Sequence, residues 1–299
     1  MLGETVARKG GPRVWVSYVT GQVLKYVPNL FRQIPLELTN RTGRHRIPRI
    51  HDTTGPVVSL TTHGDRMEGV HLTVESILRG TERLPVLLWL DKKDFDKPWP
   101  ASLRRLVDRG LDVRCSDGAY GPHTKYFGTF RQLAGMGRQV ITIDDDIIYP
   151  VWFLERLIAA EDCTNHVVGY RCHRIVMDNG RMLPYKKWVP VRTMEPSIRN
   201  FATGVSGVIY PPSMVDYVAA QGDAFMECTP RADDVWLHAC AIRSGHLVRQ
   251  VTSRSRGFAL IPFSQRNSLV SDNLGGGGND SQISEVYTEA DIEKLAKAR

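Results

Sequence analysis

Between Pro56 and Ile143, short apolar runs alternate with longer amphipathic ones, and that rhythm admits few folds. The runs "PVVSLTTH" (56–63), "LPVLLWLD" (84–91), "LDVRCSD" (111–117) and "QVITI" (139–143) have strand length. Three helical patterns separate them. "MEGVHLTVESILRG" (67–80) places Val70, Val74, Ile77 and Leu78 on one stripe with Gly80 past its end, and "PASLRRLVDRG" (100–110) and "YFGTFRQLAG" (126–135) follow. Strand interiors that are apolar on both faces belong to a parallel sheet covered on both sides. The expected fold is therefore α/β, with a Rossmann-like, mostly parallel sheet and helices on both faces.

Beyond Pro150 the rhythm loosens. "VWFLERLIAA" (151–160) reads as a helix, and "HVVGYRCHR" (166–174) and "FATGVSGVIYPP" (201–212) read as strands. "TPRADDVWLHACAIRSG" (229–245) is a helix that Thr229 can cap, with Pro230 in its first turn and Gly245 at its end. "LVRQV" and "FALIPF" are short strands, and Gly275 to Gly278 form a loop that is either a lid or slack. The chain closes on "TEADIEKLAKAR", acidic early and basic late as a helix dipole favours.

The net charge of +7 is local. Residues 1–50 carry nine basic side chains (Arg8, Lys9, Arg13, Lys25, Arg32, Arg41, Arg44, Arg46, Arg49) against Glu4 and Glu37, so the rest of the 299 residues is neutral. Within this arm the segment from Val14 to Leu38 is amphipathic and aromatic. It suits an anionic membrane surface, or equally packing on the body or on a partner. Residues 39–55 read as a linker. The organisation expected is thus an arm and linker over 1–50 and one domain over 51–299, its halves meeting near residue 150. With 42% hydrophobic and 24% charged residues the chain has the profile of a soluble globular protein. No apolar run is long enough to span a bilayer, and no secretory signal core opens the chain. Five scattered cysteines without CxxC spacing suggest reduced core thiols. The location expected is cytoplasmic, or peripheral on the inner face of the cell membrane.

"QVITIDDDIIYP" (139–150) runs a buried strand into three carboxylates. Ligands of open parallel sheets bind beyond the carboxyl ends of strands. Strand alternation would point Asp144 and Asp146 the same way, where they repel unless a cation lies near. Mg²⁺ and Mn²⁺ take carboxylate, water and phosphate oxygens, so a metal clamp for a phosphorylated ligand is one reading. A solvated acidic turn is the other. Farther on, the two glycines of "ATGVSGV" mark either close approach of a ligand to backbone or a β-bulge.

"ITIDDDIIYP", with "VVSLTTHGDR" before it and "VGYRCHR", "FATGVSGVIYPP" and "RADDVWL" after it, resembles the element series of GT-A-fold nucleotide-sugar glycosyltransferases. The likeness is to bacterial polysaccharide-type enzymes and, more distantly, to exostosin-like domains, over roughly residues 56–285. It implies that Asp146 binds Mn²⁺ or Mg²⁺ directly and that Asp144 meets the ribose or the metal's water shell, with Asp145 beside them. Lys125 would face the diphosphate, Arg66 the base or the diphosphate, Thr61 and Thr62 the base, and Thr203, Gly204 and Gly207 the donor sugar. Asp234 would be the base of an inverting transfer and Asp233 a partner of sugar or acceptor. A third metal ligand could be His246, Asn279 or Asp280. The resemblance implies a nucleoside-diphosphate sugar donor, a UDP-sugar first, and a glycan or lipid-linked acceptor. Two other readings compete: a sugar-phosphate nucleotidyltransferase, for which "SLTTHGDRMEG" lacks the Gly-rich, lysine-bearing signature, and a non-enzymatic nucleic-acid binder. No nucleic-acid motif accompanies the basic arm, so no nucleic acid is expected.

Overall fold

A computed structural model of the protein describes residues 29–262 and 278–298. Among the described residues fourteen strands fall in chain order as β1 (Val57–Thr61), β2 (Val86–Leu90), β3 (Asp112–Cys115), β4 (Val140–Thr142), β5 (Ile147–Ile148), β6 (Val167–Gly169), β7 (Cys172–Arg174), β8 (Met177–Asp178), β9 (Arg181–Met182), β10 (Val189–Pro190), β11 (Asn200–Ala202), β12 (Val208–Tyr210), β13 (Val248–Gln250) and β14 (Ala259–Leu260). Seven form the main sheet, in the order β13-β6-β12-β4-β1-β2-β3. β1 pairs in parallel with β2 and β4, β2 with β3, and β6 with β13, whereas β12 runs against both β4 and β6. The sheet is mostly parallel, as the alternation demanded, with β12 as the reversed member.

Both sheet faces are covered. Val57, Leu87, Val140 and Val208 enter one core, together with Phe130, Val215 and Trp236 from the helices Phe127–Leu133, Pro212–Ala220 and Asp233–Arg243. Their strand neighbours Val58, Leu88, Ile141 and Ile209 enter the other, against Val74, Leu103 and Phe153 from the helices Val70–Leu78, Ala101–Asp108 and Phe153–Ile158. Side chains of successive strand residues leave opposite faces, which is why one strand feeds both cores.

Several sequence expectations change in three dimensions. "HVVGYRCHR" is two strands, β6 in the main sheet and β7 in a three-stranded sheet with β10 and β11. "FATGVSGVIYPP" is likewise split, by a turn between β11 and β12 in which Gly207 has φ +84°. Thr229 does not cap the 233–243 helix, which starts after Ala232 with no side-chain cap. The amphipathic stripe of 70–78 is an incomplete description, because all nine residues of that helix are buried.

The arm and linker reach the body. Residues 29–42 are helical, and residues 1–28 lie outside the described part. Leu36 is fully buried against Leu72, Ile148 and Ile261, a burial that contributes about 2 kcal/mol. Asn29 donates to the carbonyl of Leu260 (3.0 Å), and Asn40 to Glu75 (3.1 Å). Within the stretch read as a linker, Ile47 is a core residue and its amide donates to the carbonyl of Arg109 (2.7 Å). Cys163, Cys172 and Cys240 are buried, and all five cysteines are free thiols.

Candidate functional site

β1 and β4 are neighbours, and the chain leaves β1 for β2 on one side and β4 for β6 on the other. The carboxyl ends of such a strand pair frame a crevice where α/β sheets bind ligands. The loop after β1 carries Thr62 to Arg66, and the turn after β4 carries Asp144 to Asp146. The first loop is anchored by Gly64, at φ +52°, whose amide donates to buried Asp94 (2.9 Å). A third segment, Gly121–Lys125, is pinned onto β1 by Ser59, whose hydroxyl donates to the carbonyl of Lys125 (2.6 Å).

The three aspartates are not arranged as strand alternation would have them. β4 ends at Thr142, so Asp144–Asp146 lie in a turn, where side chains no longer alternate. Asp145 and Asp146 share Arg66, which contacts Asp145 Oδ1 and lies 2.9 Å from Asp146 Oδ2. Thr62 donates to Asp145 Oδ2 (2.5 Å). Burial pushes the Asp145 carboxyl up, against Arg66 and Thr62, which pull it down. Asp144 turns the other way, to Lys125 Nζ (2.8 Å). A pocket of about 160 Å³ opens beside Arg66, Asp145 and Asp146 and is lined as well by Ile261 and Pro262.

Lys125 is the hinge of the site. Its ammonium lies between Asp144 and Asp233 Oδ2 (3.0 Å), although it is almost fully buried. Burial alone would lower its pKa, but the two carboxylates outweigh burial and hold it well above the usual lysine value. Lys125 therefore joins the β4 turn to the first turn of the 233–243 helix, where the backbone dipole also favours Asp233 and Asp234. Asp234 accepts from the amide of Val235 (2.9 Å). Burial first, and then the neighbouring Asp233 charge, push its carboxyl up to about 7. A group with that pKa exchanges protons readily at neutral pH.

The remaining expected residues fall around this cluster with differing roles. A Cβ at Gly204 would come within 3.0 Å of Lys125 Nζ, so glycine there makes room for the Lys125–Asp233 pair. At Gly207 a Cβ would meet the Phe153 ring at 2.5 Å, and the positive φ is a second backbone reason for glycine. Thr203 is held by the carbonyl of Arg171 (3.0 Å), and Thr61 donates to the carbonyl of Trp89 (2.9 Å). His246 precedes β13, which runs parallel to β6, so it stands at the opposite sheet edge from Asp144. There it bonds Ser213 (2.8 Å) and Ser244 (2.7 Å) and drops out as a third ligand. Asp280 accepts from the amide of Tyr185 (2.7 Å). Asn279 Oδ1 is buried with no partner among the described residues. Gly275 to Gly277, most of the loop read as either lid or slack, lie outside those residues, and Gly278 opens the helix Gly278–Val286.

Among the described residues no three or more His, Cys, Asp and Glu are grouped to hold a metal ion. The chemistry of Asp144 and Asp146 still fits a hard divalent cation, since Mg²⁺ sites use one or two carboxylates and are completed by water and ligand phosphates. Arg66 and Lys125 would remain as neighbours of such an ion.

One contributor escaped the sequence reading. His123, in "GPHTKYF", is buried and stacked on Phe225 with ring centroids 4.1 Å apart. It donates from Nε2 to the carbonyl of Thr229 (2.6 Å) and accepts from the Tyr126 hydroxyl at Nδ1 (2.8 Å). It thereby ties the Lys125 segment to the start of the 233–243 helix. The only sequence signal was its place two residues before Lys125.

His238 is buried in the same manner, donating to the carbonyl of Ile198 (2.9 Å) and accepting from Tyr287 (2.6 Å). Burial lowers the pKa of both histidines to about 4. The unfolded chain binds these protons near pH 6.5, the folded chain only near pH 4. Their contribution to stability is thus full above pH 6.5 and is lost as pH falls towards 4. Relative to His238→Asn, the wild type should lose on the order of 3 kcal/mol across that window. Urea midpoints of the two proteins at pH 7 and pH 4.5 check this. The raised Asp234 acts in the opposite direction in both proteins and cancels in the difference. An unchanged difference would remove the buried neutral histidine from the account.

No protein-family model matches the chain, and no curated protein matches it. Solved structures of similar fold include the mannosyltransferase PcManGT from Pyrobaculum calidifontis in complex with GDP-Man and Mn²⁺, at 13% identity and a TM-score of 0.49, covering 93% of this chain and 78% of that one. They also include S. aureus TarS 1–349, at 11% identity and 0.45, covering 81% and 69%. A third is 4-diphosphocytidyl-2C-methyl-D-erythritol synthase from Anaerococcus prevotii, at 13% identity and 0.44, covering 74% and 96%. At these scores the likenesses carry no inference about the reaction.

Proposed function

We propose that this protein is a divalent-metal-dependent glycosyltransferase that moves a sugar from a nucleoside-diphosphate sugar, a UDP-sugar first, to a glycan or lipid-linked acceptor. The observation that carries the reading is the bridge through Lys125, which brings the acidic turn after β4 against the acidic start of the 233–243 helix. The sheet edge thus pairs a donor-phosphate side with an acceptor side. Asp146 would hold Mn²⁺ or Mg²⁺, with Asp144 at the ion's water shell or the ribose, and the ion would supply Lewis-acid stabilisation of the departing diphosphate. Arg66 and Lys125 add fixed positive charge on the same side, aimed where negative charge grows. Thr62 and Arg66 hold Asp145 in place, and through it the shape of the turn. Across Lys125, Asp234 takes the proton of the attacking hydroxyl, and burial first, with the Asp233 charge second, keeps its pKa high enough for that task.

The test is calorimetric. Asp146→Ala should abolish Mn²⁺-dependent binding of nucleoside diphosphates while leaving the far-ultraviolet circular dichroism unchanged. Wild-type binding in that variant, with the same dependence on Mn²⁺, would overturn the metal assignment.

A further inference from the structure

The described helix over residues 29–42 presents an apolar face that no other described residue covers. Leu30, Phe31, Ile34 and Leu38 are all exposed, Phe31 by 67% and Ile34 by 61%. At about 100° per residue they span one arc of roughly 100°, directly opposite the docked Leu36. Next to this helix a groove of about 640 Å³ is lined by Arg32, Arg79, Trp152, Ser255, Arg256 and Phe258 and by no carboxylate. Two guanidinium groups rest on the Trp152 ring, Arg156 at 4.5 Å and Arg256 at 5.7 Å from its centroid. Among the described residues, Arg79, Arg156 and Arg256 have no ion-pair partner, in contrast to Arg66 and Lys125 a short way along the chain fold.

An arginine groove lined by no acid calls for an anion, and the exposed apolar arc on the outer face of the same helix calls for hydrocarbon. Guanidinium pairs suit phosphate oxygens, which they can engage two at a time. We propose that this groove holds the phosphate or diphosphate head of a membrane lipid, with Leu30, Phe31, Ile34 and Leu38 resting in the adjoining bilayer surface. The charge and the apolar arc together commit the surface to an anionic lipid rather than to a protein partner. The groove also abuts the candidate site. Tyr149, in its wall, accepts from the amide of Asp144 (3.1 Å), and β5 pairs with β14 between the groove and the Asp145–Asp146 pocket. The proposal rests on the transferase reading only in that it assigns the lipid head to the acceptor.

Flotation of the full chain with vesicles tests it. Binding should be strong with phosphatidylcholine containing phosphatidate. It should be weaker when oleate supplies the same surface charge without an added phosphate. Arg79→Glu/Arg256→Glu should reduce binding to phosphatidate vesicles at least about ten-fold, and Ile34→Glu/Leu38→Glu should do the same through the apolar face. All four positions are exposed, so circular dichroism should show an intact fold. Wild-type flotation in both double variants would overturn the proposal. So would a thermal shift with inorganic pyrophosphate that Arg79→Glu/Arg256→Glu abolishes while vesicles remain unbound, since the anion would then be soluble. Asp146→Ala should float like the wild type, so a failure of the transferase reading and a failure of the lipid groove are distinguishable.

Discussion

Lys125→Met is expected to destabilise the folded protein by about 3–5 kcal/mol, the range for a buried ion pair stripped of one partner. The physical reason is the arrangement of charge. Lys125 Nζ lies within 3.0 Å of both Asp144 and Asp233, and the lysine itself is almost fully buried between them. Methionine fills much of the same volume but leaves the two acids facing each other without a cation. The penalty should shrink when Asp144→Asn is added, because one of the opposed charges is then gone. Urea denaturation of the two single variants and the double variant measures the coupling directly. Purely additive effects would show that Lys125 and Asp144 are not energetically coupled and would remove the bridge from the account. Turnover should fall together with stability, and by about 10²–10³-fold if the ammonium also stabilises the diphosphate.

Asp234→Asn is expected to leave donor binding intact and to cut turnover by about 10²–10⁴-fold, the range for loss of a positioned general base. Asparagine keeps the size of the side chain and can still accept from the amide of Val235. What it loses is the ability to take a proton. The pH profile carries the more specific expectation. Because the Asp234 carboxyl is raised to about 7, the wild type must deprotonate it to work, so turnover should rise with pH through neutrality and level off above it. That limb should be absent from the residual activity of Asp234→Asn. A wild-type rate in the variant, or an unchanged limb, would remove Asp234 as the base and leave Asp233 as the candidate.

These expectations separate cleanly into what was readable in the chain and what was not. The alternation from Pro56 to Ile143 was enough for the sheet and for the placement of Asp144–Asp146 at a strand's carboxyl end, because strand and helix periods are local properties of neighbouring residues. Lys125 and Asp233 could be named as candidates but not joined. They lie on different segments, and only the packing of Gly121–Lys125 onto β1 and against the 233–243 helix brings them together. The same limit explains the aspartates. A two-residue period holds only inside a strand, and the sequence does not show that β4 ends at Thr142, so it paired Asp144 with Asp146 where the fold pairs Asp145 with Asp146.

The sequence by itself determined a layered α/β body, its acid-tipped strand and the concentration of positive charge before residue 50. Tertiary structure alone decided which cation answers each carboxylate, that His246 stands at the far edge, and that residues 29–42 dock through Leu36 with an apolar arc facing outward. The reason is range. Periodicity and capping act over a few residues, whereas Arg66 meets Asp145 across 79 positions and Asn29 meets Leu260 across 231. Contacts of that span exist only once the sheet order is set.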